Sequence, residues 1–200
     1  IIFFRLWIDI LRELLPSSLL DEFSGKENEY LWIKEALTEI ELIVDSTEQD
    51  IFRPKNDEKQ KKYYSGKQKS HTLKNQIIIT DNGKEIVDVI VGERGPESDI
   101  ILFKKQQKKF DKEQRFQGDK GYQGGERIDT PKKKKRNHKM SYKVKKENQK
   151  KAQKRIFVEH VIRLIKIFKV ARERFRLKES NYEKVILTIC GLVRLRIGAL

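Results

Sequence analysis

The sequence predicts an α/β fold: a mixed sheet of three antiparallel strands followed by a parallel one, flanked by helices and carrying a lysine-rich insertion. Three stretches carry that prediction. Leu42, Ile43 and Val44 are consecutive apolar residues, as expected of a central strand buried on both faces. Asp81-Asn82-Gly83 stands between the β-branched runs NQIIIT and EIVDVIV, and Asn-Gly in that setting is a strong hairpin signal. The third stretch, Gln153 to Phe175, has helical periodicity. Wound at about 100° per residue, it gathers Ile156, Phe157, Val158, Val161, Leu164, Ile165, Ile167, Phe168 and Ala171 into one broad apolar arc, the pattern of a helix packed on a sheet.

In chain order, residues 2 to 20 carry Phe4, Trp7, Ile8, Leu11, Leu14 and Leu15 at helical spacing and stop at Pro16. A second helix is expected from Glu29 to Thr38. The strand IELIV then ends on Asp45, a carboxylate at the edge of the sheet, where clefts form. Residues 53–74, polar and basic with Tyr63-Tyr64, read as an exposed loop or a contact to a DNA backbone. After the hairpin, SDIILFKKQQKKF is a helix with Ser98 or Asp99 placed to cap its first turn. RFQGDKGYQG is a short strand ending near Asp119 and followed by a glycine turn. Residues 131–152 read as a poorly ordered basic lobe, and a last helix runs from about Asn181 to Arg194. Strand, hairpin, helix, strand, helix is the order of a ribonuclease H-like fold. In such a fold Asp45 and Asp119 are neighbours and Glu159 reaches them from the long helix. Residues 1–40 are then an N-terminal helical segment and residues 41–200 the ribonuclease H-like domain, with the basic insertion at about 125–152.

Composition narrows the partners. A formal charge of +15 over 200 residues favours a polyanion, and nucleic acid is the commonest one. The excess is local: from Pro131 to Arg155 there are thirteen Lys or Arg against one Glu. A lone cysteine, Cys190, excludes an internal disulfide and fits a reducing compartment. His71, His138 and His160 lack cysteines at zinc-ligand spacing. No apolar run is long enough to span a bilayer. The chain opens on Ile1, so a preceding segment is expected.

Two aspartates and a glutamate in one cleft need a counter-charge to stay ionised together. Hard divalent cations supply it: Mg²⁺ takes a few carboxylates and leaves positions for water and phosphate oxygen. Two such ions about 4 Å apart can drive an in-line phosphoryl transfer. Around Glu159 the same helical face carries Arg155, Arg163 and Lys166, which alone would be a solvated stripe of i,i+4 ion pairs. For the second acid Asp99 is a rival to Asp119, although its position suits a helix cap. Glu126 is the next choice after Glu159 for the third.

The strings LRELLPSSLL, LTEIELIVDSTEQ, RPKNDEKQKKYYSGKQKSHTLKNQ, GDKGYQG and RIFVEHVIRLIK, with Arg155, Glu159 and Lys166 in an R-x3-E-x6-K pattern, resemble the DDE transposases of bacterial insertion sequences, the branch related to Harbinger elements. The resemblance spans nearly the whole chain. It implies a catalytic and metal-binding triad of Asp45, Asp119 and Glu159 with two Mg²⁺ or Mn²⁺ ions. The implied activity is cutting element ends and joining them to target DNA. It also implies a homo-oligomer acting on terminal inverted repeats and target DNA, in the bacterial cytoplasm at the nucleoid and without a membrane. Lys132, Lys133, Lys134, Lys135, Arg136, Arg155 and Lys166 are the expected DNA contacts. The chain departs from the family pattern at Ser98, where His is common, at Ala152, where Tyr is frequent, and at Arg194, where Asn is expected. The alternatives are a captured transposase that binds DNA without cutting it, and an unrelated basic nucleic-acid-binding fold.

Overall fold

The computed structural model describes residues 2–134 and 140–200. In chain order its elements are α1 (Ile2–Leu14), α2 (Leu19–Glu22), α3 (Glu27–Leu37), β1 (Glu41–Asp50), α4 (Asp57–Tyr63), β2 (Tyr64–Ser65), β3 (Ser70–Ile79), β4 (Ile86–Arg94), α5 (Asp99–Gln106), β5 (Arg115–Gln117), β6 (Ile128–Asp129), α6 (Tyr142–Ile167), α7 (Lys169–Arg172) and α8 (Tyr182–Ile197). The described strands form a six-stranded sheet in which β4, β3 and β1 are antiparallel neighbours, β5 and β6 continue it in parallel, and β2 pairs with the start of β3. This is the expected ribonuclease H-like order.

Alternation along the central strands divides the core into two layers. Ile43, Ile77, Ile79 and Ile86 face α6 and α8, meeting Val158, Val161, Ile165, Ile186 and Ile189. Leu42, Val44, Ile78 and Val87 face the other way, onto Phe103 of α5, Phe116, Tyr122 and the N-terminal Leu20, Ile33 and Leu37. The hairpin forms at Gly83 (φ +70°), and Asn82 Oδ1 accepts from the Lys84 N–H at 3.0 Å and from Thr80 Oγ1 at 2.9 Å.

Several expectations are corrected. Asp45 does not close its strand: β1 runs on to Asp50 because β3 pairs with it throughout, from Ile43↔Ile79 to Asp50↔Thr72. What ends early is the parallel neighbour β5, at Gln117 opposite Ile43, and the cleft opens there. Residues 53–74 are not a plain loop. They hold α4, capped by Asn56, then β2 and the start of β3, where Thr72 and Lys74 are buried. From Tyr142, capped by Ser141, the lysine-rich stretch is not a lobe but the first half of α6, because Lys, Glu, Gln and Ala are good helix formers, while its residues 135–139 lie outside the described residues. Residues 128–129 add β6 to the sheet. The long helix also ends sooner than expected, at Ile167. Beyond it, Phe175 bonds back to Asp50 and the buried Gln49 amide holds the carbonyls of Val170 and Glu173. Its buried arc is narrower than the pattern implied, since Ile156, Phe157 and Ile167 are exposed. On α1, Ile8 packs on the core while Trp7 and Leu14 face solvent.

Candidate active site

The parallel register sets the first two acids side by side. Glu41↔Arg115, Leu42↔Phe116 and Ile43↔Gln117 are partners, so two residues further on Asp45 comes level with Asp119, which lies just past the end of β5. Asp45 follows Ile43 in the alternation and therefore faces α6. Its Oδ1 accepts from the Ser46 N–H at 2.8 Å, and its Oδ2 lies 3.5 Å from Arg155 Nη2. That same nitrogen lies 3.4 Å from Glu159 Oε1, one helical turn along α6. One guanidinium thus stands between the two carboxylates, and among the described residues its buried Nε has no partner. Asp119 starts a 3-10 turn, and its Oδ1 accepts from the Gly121 N–H at 2.6 Å. The glycine leaves room for both carboxylates at that point. A Cβ on Gly121 would come within 2.9 Å of Asp119 Oδ1 and 3.0 Å of Asp99 Oδ2.

Burial pushes the Asp45 carboxyl above its usual range, with the Asp119 charge adding to the effect against the Ser46 N–H and Arg155. Tyr122 is buried beneath the acids. Burial and the charges of Asp45, Asp99 and Asp119 hold its phenol protonated, and its hydroxyl bonds to the Gln76 side chain. Burial lowers the Lys166 ammonium, opposed by Asp45. Lys166 lines a polar cleft of about 180 Å³ together with Lys67, Lys74, Glu48 and Asp99.

Asp99 does not cap its helix. Ser98 takes the capping position without a side-chain hydrogen bond, and Asp99 Oδ1 instead accepts from Ser46 Oγ at 2.7 Å and Lys74 Nζ at 2.9 Å. Sequence reading misses this contact, because its partners lie 53 and 25 residues away and Lys74 falls in a stretch that reads as a loop. Glu126 is exposed in the turn before β6. Of the lysines expected on DNA, Lys133 and Lys134 are exposed. Lys132 is tied through its backbone to Asn148 on α6 and lies 3.5 Å from Glu147. Lys135 and Arg136 lie outside the described residues. Arg163 is exposed, as its stripe on α6 predicts.

Among the described residues, no three acid, histidine or cysteine side chains stand close enough to hold a metal ion without rearrangement. The donor set nevertheless fits a hard cation. It is all carboxylate oxygen, and among the described residues the only cation hydrogen-bonded to Asp45 and Glu159 is Arg155, at distances longer than a good hydrogen bond. Among the described residues no helix is long and apolar enough to cross a membrane.

The family model for DDE superfamily endonucleases matches residues 44–194. A probable transposase for insertion sequence element IS702, from Microchaete diplosiphon, is 37% identical over 145 residues, which cover 70% of this chain and 51% of that protein. The chain therefore spans about half the length of the curated relative it matches. No solved structure matches. Because the family match runs from the middle of β1 to the last turn of α8 and takes in Asp45, Asp119 and Glu159, the chain belongs to the DDE superfamily of endonucleases, alongside the transposases of insertion sequences.

Proposed function

We propose that this chain carries the catalytic domain of an insertion-sequence transposase, residues 41–200, with residues 1–40 as a helical segment docked on it. Asp45, Asp119 and Glu159 are its three acids, and they hold divalent metal, Mg²⁺ or Mn²⁺. The observation that carries this reading is the level of Asp45 with Asp119 across β1 and β5, with Glu159 sharing the Arg155 guanidinium with Asp45. Bound between these carboxylates, divalent cations would activate a water or sugar hydroxyl and stabilise the leaving oxygen of an in-line phosphoryl transfer. The protein's own part is orientation. The Ser46 N–H fixes Asp45, the Gly121 N–H fixes Asp119, and the rigid α6 carries Glu159. Lys67 and Lys166 in the adjoining cleft, with Lys133 and Lys134 outside, would hold the phosphodiester backbone of element ends and target DNA. The working form would be a homo-oligomer at the terminal repeats, in the bacterial cytoplasm.

The test is nicking of a duplex carrying the element's terminal inverted repeat. Cleavage should require Mg²⁺ or Mn²⁺ and be abolished in Asp45→Ala. Retained DNA binding by a wild-type protein that never nicks would favour the DNA-binding reading without catalysis. Replacing Lys132, Lys133 and Lys134 with Gln should lower the salt slope of DNA binding, by up to about 0.9 for each phosphate that is no longer neutralised. An unchanged slope would remove these lysines from the interface.

A further inference from the structure

The ion pair between Lys74 and Asp99 lies on the opposite side of the sheet from Glu159, yet it reaches both aspartates of the proposed site. Ser46 makes the first connection. As the residue after Asp45 it points to the other face, toward α5, and its hydroxyl donates to Asp99 Oδ1 at 2.7 Å. Its own N–H, in the plane of the strand, donates to Asp45 Oδ1 at 2.8 Å. Gly121 makes the second. Asp99 Oδ2 stands 3.0 Å from where a Cβ on Gly121 would lie, and the Gly121 N–H holds Asp119 Oδ1 at 2.6 Å. Lys74 fixes this carboxylate from beneath. Its side chain is nearly buried, at 7% exposure, and its ammonium donates both to Asp99 Oδ1 at 2.9 Å and to the Glu97 carbonyl.

We propose that Asp99, clamped by Lys74, is a positioning residue for the metal-binding acids: it orients Asp45 through Ser46 and restrains the Asp119 turn through Gly121. This inference rests on the proposed metal-binding role of Asp45 and Asp119. The competing account is that Lys74–Asp99 is an ordinary ion pair that fastens α5 to the sheet. The two accounts differ at Ser46, because Ser46→Ala leaves the ion pair intact and cuts only the link to Asp45. They differ also in what Ser46→Ala changes, since a pair that only fastens α5 would leave the affinity of the acids for metal unaltered when that hydroxyl is removed. Outer-shell partners of metal ligands typically govern affinity by about ten- to a hundredfold.

The experiment is titration of the full chain with Mn²⁺, without DNA, by calorimetry, alongside thermal melting. Wild type should bind Mn²⁺ and Asp45→Asn should not. Ser46→Ala and Asp99→Asn should each weaken Mn²⁺ binding about tenfold or more, with Ser46→Ala melting within roughly 2 °C of wild type. Asp21→Asn is the control. It breaks the Arg12–Asp21 ion pair at 2.9 Å, whose acid is about as exposed as Asp99 (29% against 26%), and it should leave Mn²⁺ affinity unchanged. Wild-type affinity in both Ser46→Ala and Asp99→Asn would overturn the proposal and leave an ordinary ion pair, as would an equal loss in Asp21→Asn. Should Asp99→Asn fail to fold, Ser46→Ala decides alone. Wild type binding Mn²⁺ no better than Asp45→Asn has a different signature: it removes the metal-binding reading of Asp45 itself, and this inference with it.

Discussion

Two arginines on facing helices show how differently this chain treats buried charge. Arg194 on α8 is fully buried and fully engaged. It bonds to both carboxylate oxygens of Glu85 at 2.6 and 2.9 Å, to Glu22 at 2.7 Å, and to the carbonyls of Pro16 and Ser18. Those partners come from the hairpin loop and the N-terminal helices, so one side chain ties three parts of the chain together. Hydrogen bonds to Glu85 and Glu22 raise its pKa against the effect of burial. Arg155 on α6 faces two carboxylates as well, but at 3.5 and 3.4 Å, and its buried Nε finds no partner among the described residues. A hub that only holds structure closes its hydrogen bonds. The acid cluster leaves its own open, as a site built to take a further charged group would.

Replacing each arginine with methionine makes that comparison quantitative. Arg194→Met strands Glu85 and Glu22 beside a buried apolar group and should cost about 3–5 kcal/mol. For a chain of this size that is a fall in Tm on the order of 10 °C, read by thermal or urea unfolding. DNA nicking by the folded fraction should survive. Arg155→Met, by contrast, removes two long ion pairs, one of them to the half-exposed Glu159, and should cost about 1–2 kcal/mol. Similar losses from the two substitutions would erase the distinction.

The same contrast marks what can be read from sequence. Asp45, Asp119 and Glu159 are nameable because each sits on a local signal: a β-branched run, a glycine turn and an amphipathic helix. The strand order follows from similar signals, with the Asn82-Gly83 hairpin the plainest. The two polar clusters that hold these parts in place are not legible, because their bonds span long separations. Arg194 meets Glu85 at 109 residues and Glu22 at 172, and Lys74 meets Asp99 at 25. In the sequence Arg194 stands out only as a departure from the family's pattern. Lys74 is hidden in a basic run, where a buried lysine cannot be told from a solvated one. The error over residues 142–152 has a different source. Charge density reads as disorder, although lysine favours helix and a tertiary anchor exists: Lys151 and Lys154 of α6 pair with Asp129 and Glu41.

Asp45 sharpens the comparison from the acid side, with an effect smaller than either arginine's upper limit. Burial raises its folded-state pKa above the ordinary 3.8, so ionising it costs stability. Well below that value the group is protonated in both states and the cost is absent. It builds as pH rises through the window between the ordinary and the raised pKa, and is complete at neutral pH. Asp45→Asn should therefore raise Tm by on the order of 2 °C at pH 7 and lose that advantage as the pH falls toward 3. An aspartate that instead stabilises the fold at neutral pH would belong with the Arg194 cluster.

The smallest expected effect on stability accompanies a complete loss of activity. Glu159 is half exposed, at 52%, and among the described residues its side chain bonds only to Arg155, at 3.4 Å. Its helix neighbours Val158 and Val161 are what fasten α6 to the sheet, and Glu159 contributes nothing to that core. Glu159→Gln keeps the side chain's length and nearly its helix propensity, and a half-exposed pair at this distance adds little to an already formed helix. Melting without metal should stay within about 1 °C of wild type. Nicking in Mg²⁺ or Mn²⁺ should vanish, because a neutral amide cannot replace a carboxylate ligand for a hard cation. Retained nicking would move the third acid elsewhere, with Glu126 next to be tested. A clear fall in Tm would make Glu159 a partner that Arg155 needs for folding, and the two arginines would then differ in degree only.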